Sequence, residues 1–148
     1  MMTPFKLTKI LNLKEHEKQK ALHEYEEARS RFEEVAEKLY HFLKQKEEYE
    51  EQHKHQLQSG VAIQHIRSFQ QFMVNLQRII DHYQHLVMQA RQHMELKQLK
   101  LVELNVEVKK YEKMKEKHDE MMAQHMRMME QKQMDDLSIQ QYCYRETR

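Results

Sequence analysis

One glycine, one proline, one cysteine and no tryptophan occur in 148 residues. At ordinary usage, roughly 7% Gly and 5% Pro, a chain this long would carry about 18 of the first two together. Tight turns need glycine at positive φ and proline at fixed φ. A β-sandwich, a barrel or a multi-layer α/β domain is therefore excluded. Phosphate-cradling loops and dinucleotide fingerprints need several glycines at fixed offsets, and Gly60 stands alone. A single cysteine, Cys143, rules out a disulfide framework and a cysteine-based zinc site and fits a reducing compartment. No run approaches the ~18–20 apolar residues of a membrane span. The opening Met1-Met2-Thr3-Pro4-Phe5-Lys6-Leu7 lacks the apolar stretch of a secretory leader. Charge of one sign is also missing: 25 Lys+Arg face 24 Asp+Glu, a net of +1. Nucleic-acid binding depends on neutralising phosphates, so no nucleic-acid partner is expected. The expected location is cytoplasmic.

What the chain does have is a narrow apolar stripe. Hydrophobic residues make up 39%, against roughly 45–50% on a similar count in globular domains. They recur at spacings of three and four. The first series runs Ala21, Tyr25, Ala28, Phe32, Val35, Leu39, Phe42, Lys46, Tyr49. The second begins Ile66, Phe69, Met73, Leu76, Ile80, Tyr83 and continues by the same steps through Val87, Ala90, Met94, Lys97, Leu101, Leu104 and Val108 to Tyr111. A mean spacing of 3.5 keeps one seam facing one partner helix when the two supercoil. Glu, Lys, Gln and His fill the positions between, as a solvated face requires.

Thr3-Pro4 reads as an N-cap followed by proline at the first helical position. Ser59-Gly60 separates the two series, and glycine closes a helix cheaply in the left-handed conformation. The expected fold is all-α: two long helices in an antiparallel two-stranded coiled-coil hairpin. It forms a single rod over 1–148, with helix 1 at about 4–58, a turn near 59–61, helix 2 at about 62–134 and a frayed tail at 135–148. A monomer is expected when the protein is free.

An antiparallel pair meets at a constant sum of residue numbers. A sum of 122 centres the turn at residue 61 and sets Phe42 by Ile80, Val35 by Val87 and Ala21 by Leu101. Lys97 falls opposite Tyr25 and Lys46 opposite Leu76, where a lysine stem can lie on an apolar neighbour. Helix 1 then runs out near Pro4, opposite residue 118. Beyond that point come Met121, Met122, Met126 and Met129 at helical spacings. Methionine is flexible and over-used on adaptable binding surfaces. This overhang is either a frayed or self-pairing helix end or a spike that docks into another protein.

Eleven histidines raise the question of metal. His82 and His85 share a helix face, but no acidic or thiol cluster completes a four-ligand site. The others, His53 and His118 among them, are read as solvated-face residues, and no metal site is expected. Side chains of the adjacent Asp135 and Asp136 diverge on a helix. With no nucleophile–base pair, the reading is no enzyme, no cofactor and no small-molecule substrate. Tyr49 and Phe72 lie near the hairpin tip. Rim aromatics either thicken the core or anchor a partner.

Taken together, the glycine-centred turn, the run Phe69-Gln70-Gln71-Phe72 soon after it and Gln131-Lys132-Gln133-Met134-Asp135-Asp136 near the end resemble the FliJ family. That family is the small soluble component of the bacterial flagellar type III export apparatus. It usually has tyrosine where Phe69 stands. The resemblance implies a coiled coil similar to the stalk subunit of rotary ATPases. Its partners would be the hexameric flagellar export ATPase, the membrane export gate protein and export chaperones. The implied location is the cytoplasmic face of the membrane at the flagellar base. A gate-binding patch carries over onto Tyr49, Phe72 and Leu76, while Gln45, Ile79 and Tyr83 occupy patch positions where this chain departs from the family. Met121, Met122, Met126 and Met129 are the expected ATPase contact. The rod of a virulence secretion ATPase and a His/Met-rich metal-binding protein are the alternatives.

Overall fold

A computed structural model of the chain describes residues 4–147. It is all-α: α1 spans Pro4–Ser59 (56 residues), α2 spans Ile63–Glu146 (84 residues), and the two pack against each other. Proline opens α1, where its missing N–H costs no helical hydrogen bond. The N-cap expected at Thr3 lies outside the described residues. Gly60 ends α1 at φ 85°, the left-handed region that an L side chain enters only at a cost. Its N–H donates to the Leu57 carbonyl at 3.4 Å, and the Ser59 hydroxyl donates to the His55 carbonyl at 3.3 Å. The N–H groups of His65 and Ile66 both donate to the Ala62 carbonyl, which starts α2.

α2 passes the end expected near 134 and stays helical to Glu146. The segment 135–146 contains neither glycine nor proline. The weak propensities of Asp135 and Asp136 cost only a few tenths of a kcal/mol each, roughly 0.7 at most. The helix closes at Thr147, whose N–H donates to the Cys143 carbonyl at 3.1 Å and whose hydroxyl reaches the same carbonyl at 3.0 Å.

The chain divides into two compact units, Gln19–Glu103 and Met1–Lys18 with Leu104–Arg148. In Gln19–Glu103 the core is Ala21, Ala28 and Val35 from α1 with Leu76 and Ile80 from α2. All five are seam positions of the 3,4 pattern. Val35 and Ile80 are the most completely enclosed, each 1% exposed. Phe42, which the spacing set by Ile80, is half-buried with its ring 5.1 Å from that of Tyr83. Cross-helix pairs fix the register: the Lys46 ammonium donates to Gln77 Oε1 at 2.7 Å, and that of Lys97 to Glu24 Oε2 at 3.1 Å. Their residue numbers add to 123 and 121, within one of the expected 122 and far from a heptad slip.

In the other unit Leu7 and Leu11 of α1 and Val108 of α2 are buried. The Lys14 ammonium lies 2.9 Å from the Glu107 carboxylate. Among the described residues no polar or charged residue is fully buried, and no helix is long and apolar enough to cross a membrane.

Candidate interaction surfaces

Near the turn, Tyr49 of α1 and Phe72 of α2 meet edge to face, with centroids 5.0 Å apart and planes at 79°. Aromatic pairs favour this geometry because a ring's positive edge meets a negative face. Both rings are partly exposed, Tyr49 at 37% and Phe72 at 44%. Leu76, one turn beyond Phe72, is instead buried in the seam. Of the neighbouring patch positions, Ile79 is exposed, Tyr83 packs on Phe42, and the Gln45 amide nitrogen lies 3.2 Å from the His41 ring.

Below this pair His53 stacks on Phe69, and His65 Nε2 lies 2.9 Å from Gln56 Oε1. His53 was expected on the solvated face; it is half-buried because it continues the seam, four residues past Tyr49. The sequence signal was the unbroken 3,4 step. A histidine is easily discounted there because its ring is polar.

At the far end of α2, every described residue from Asp119 onward is exposed. Met121, Met122, Met126 and Met129 share this fate, at 61%, 49%, 61% and 53%. Met121 and Met122 nonetheless line a cavity of about 500 Å³ together with Leu7, Met114 and His118. Spacing alone ended the reach of α1 opposite residue 118. Leu7 supplies a wall one turn further on, and of the four expected contact methionines Met126 and Met129 do not line that cavity.

Two charge pairs lie beside the seam, one in each unit. Lys97 beside Glu24 holds that carboxyl below its ordinary 4.5. The Glu107 carboxylate beside Lys14 raises the ammonium above its ordinary 10.5. No group of three or more His, Cys, Asp or Glu that could hold a metal ion occurs among the described residues. His82 lies against the Tyr83 ring, and His85 pairs with Gln89 at 3.1 Å.

Two long helices that pack against each other, with no strand among the described residues, define an all-α helical hairpin. The sequence profile described as the flagellar FliJ protein matches residues 2–147. A flagellar FliJ protein of Bacillus subtilis (strain 168) is 46% identical over 142 residues, covering 96% of this chain and 97% of that protein. No solved structure matches significantly. The chain belongs to the flagellar FliJ family. Membership places it among the components of the flagellar export apparatus.

Proposed function

We propose that this chain is a non-catalytic coupling factor of flagellar protein export, linking the hexameric export ATPase to the membrane export gate protein and to export chaperones. It works as a peripheral component at the cytoplasmic face of the membrane and is a monomer when free. The observation that carries this reading is the exposed methionine face of α2 beyond residue 118. Flexible thioethers adapt to a partner's apolar surface, and Met121, Met122, Met126 and Met129 are the proposed ATPase contact. Tyr49 and Phe72, with the buried Leu76 one turn further along α2, are the proposed gate contact. Partly exposed aromatics of this kind are typical anchors of protein interfaces.

Deletion of 119–148 tests the first contact. The truncated protein should keep the thermal melting of the remaining helices and lose stimulation of the export ATPase. Normal stimulation by the truncated protein defeats the assignment, and so does collapse of the remaining fold. Phe72→Ala tests the second. A hot-spot aromatic is worth about 2 kcal/mol, on the order of 30-fold in affinity, so gate binding should fall by that factor with helicity retained.

A further inference from the structure

The seam pattern of α2 does not stop where α1 begins. Beyond Val108 and Tyr111 the steps of four and three continue through Lys115, His118, Met122, His125 and Met129. Burial along this series falls in order. Val108 is buried, Tyr111, Lys115 and His118 are half-buried, and Met122, His125 and Met129 are exposed. The fall coincides with the first turn of α1, which starts at Pro4 and sets Leu7 in the wall of the cavity. The cavity thus continues the seam formed by Leu7, Leu11 and Val108 into a stretch where α2 runs on alone.

Charge around this stretch is uneven. Among the described residues the cavity wall holds Lys117, His118 and His125 and no carboxylate. Glu112, Glu116, Asp119 and Glu120 line a separate groove, with Lys115 as its one cation. Lys117 and Asp119 lie about 200° apart round the helix axis, so the two flanks of the seam carry opposite sign. The first turn of α1 contains no acidic residue, so the partial positive charge of that helix end is not offset there.

We propose that this groove receives an amphipathic helix of the partner, lying end to end with α1 and taking over its seam, with carboxylates along the flank that meets Lys117. The inference names the chemistry of the ATPase contact proposed above and rests on that reading. A stripe at steps of three and four offers holes to knobs at the same spacing, and a helix in a groove is read by such anchors. From His118 to Met129 the stripe is about 16 Å long, three turns of the incoming helix. The thioethers of Met121 and Met122 adapt to whichever apolar side chain enters beside Leu7. A carboxylate on the positive flank gains a charge-assisted hydrogen bond from Lys117, whereas a cation there is repelled.

The test uses the full-length chain and contains no ATPase, so its failure is distinct from failure of the ATPase reading. The probes are two fluorescent, lactam-bridged helical peptides of three heptads each. Both carry leucine at the seam positions; one has glutamate and the other lysine along one flank. Fluorescence anisotropy should show the glutamate peptide binding about tenfold more tightly than the lysine peptide. Met122→Glu sets a charge in the groove and should weaken the glutamate peptide about tenfold, with helicity unchanged by circular dichroism. Lys117→Glu should narrow the preference by about threefold, the scale of a surface ion pair. Leu96→Glu, on an exposed position away from the cavity, should change nothing. No binding of either peptide overturns the proposal. Equal binding of the two overturns it as well, and so does binding that survives Met122→Glu, since the helix then sits elsewhere.

Discussion

His53 on α1 lies flat on Phe69 of α2, with centroids 3.7 Å apart and planes within 10° of parallel. The stack joins the two helices close to their turn and leaves His53 Nδ1 buried without a hydrogen-bond partner. An unsatisfied buried polar atom costs about 1–3 kcal/mol. Replacing the ring with an apolar one of similar shape removes that cost and keeps the stacking area. His53→Phe should therefore stabilise the fold by about 1 kcal/mol, read as a higher urea midpoint at constant slope. A lower midpoint would show that the imidazole's polar edge contributes.

The Lys97–Glu24 and Lys14–Glu107 pairs set opposite limits in pH. The Glu24 pKa is depressed in the folded protein, so its contribution is fully present above the ordinary 4.5 and is lost as pH falls through the lower folded value. That of Lys14 is raised, so its contribution is fully present below the ordinary 10.5 and is lost as pH rises through the higher folded value. Between those limits both contributions are constant. Melting curves of the wild type and of Glu24→Gln should differ by a fixed small amount from pH 5 to 9 and converge in acid. The gap should shrink in high salt, because partly exposed pairs are screened. A gap that survives in acid would assign the effect to packing.

Lys46 looks from its seam position like a charge waiting to be replaced by leucine. In the folded protein its ammonium is bound to Gln77 Oε1 at 2.7 Å, and Gln77 in turn donates to Asp81 Oδ1 at 2.8 Å. Lys46→Leu gains apolar contact near Leu76 but breaks this chain. The two effects are each about 1 kcal/mol, so the net change should stay within about 1 kcal/mol of zero. Ile80→Ala in the same seam should cost about 2–5 kcal/mol. Chemical denaturation of both variants checks the contrast; a large gain from Lys46→Leu would mean that the Gln77 bond adds nothing.

Gly60 has open space around the position a Cβ would take, with nothing within 4 Å. A substitution there meets only the backbone penalty of positive φ, about 1–2 kcal/mol. Gly60→Ala should lower stability by that amount, and Gly60→Asn by less, because asparagine tolerates the left-handed region. Equal losses would mean that the turn has shifted to another conformation. Thermal melting of the two variants decides.

The two helices were legible because burial in a two-helix pair demands a single stripe, and Ala21, Ala28, Val35, Leu76 and Ile80 all sit on it. Register was legible because one glycine fixes where the chain reverses. Three other features were hidden. The stack of His53 escaped because a polar ring on a seam reads as solvent-facing. The carboxylate that meets Lys97 belongs to Glu24, beside the Tyr25 that the spacing placed opposite; a flexible lysine chooses its partner by charge, which spacing does not encode. The helix through Glu146 escaped because its segment lacks an apolar seam, and helicity there rests on propensity and continuity from the preceding turns. Near the turn, the spacing set Tyr49 on the seam and Phe72 beside it, and both rings are partly exposed. The burial of Leu76 depended on whether the seam or the patch claims it, and both lie at the same spacing.

The closed turn at Gly60 also sets the order in which Gln19–Glu103 can assemble. Gln56 and His65 are 9 residues apart along the chain, Lys46 and Gln77 are 31, and Glu24 and Lys97 are 73. Each doubling of a loop costs about 0.6 kcal/mol of closure entropy. Meeting first at the most distant pair is therefore disfavoured over meeting at the tip by about 2 kcal/mol. Once the tip is closed, each further pair of seam residues is only about one helical turn from a pair already made. The two strands of helix join as a zipper does, from the slider outward. Substitutions near the turn should then act on the folding rate, and those far from it on the unfolding rate.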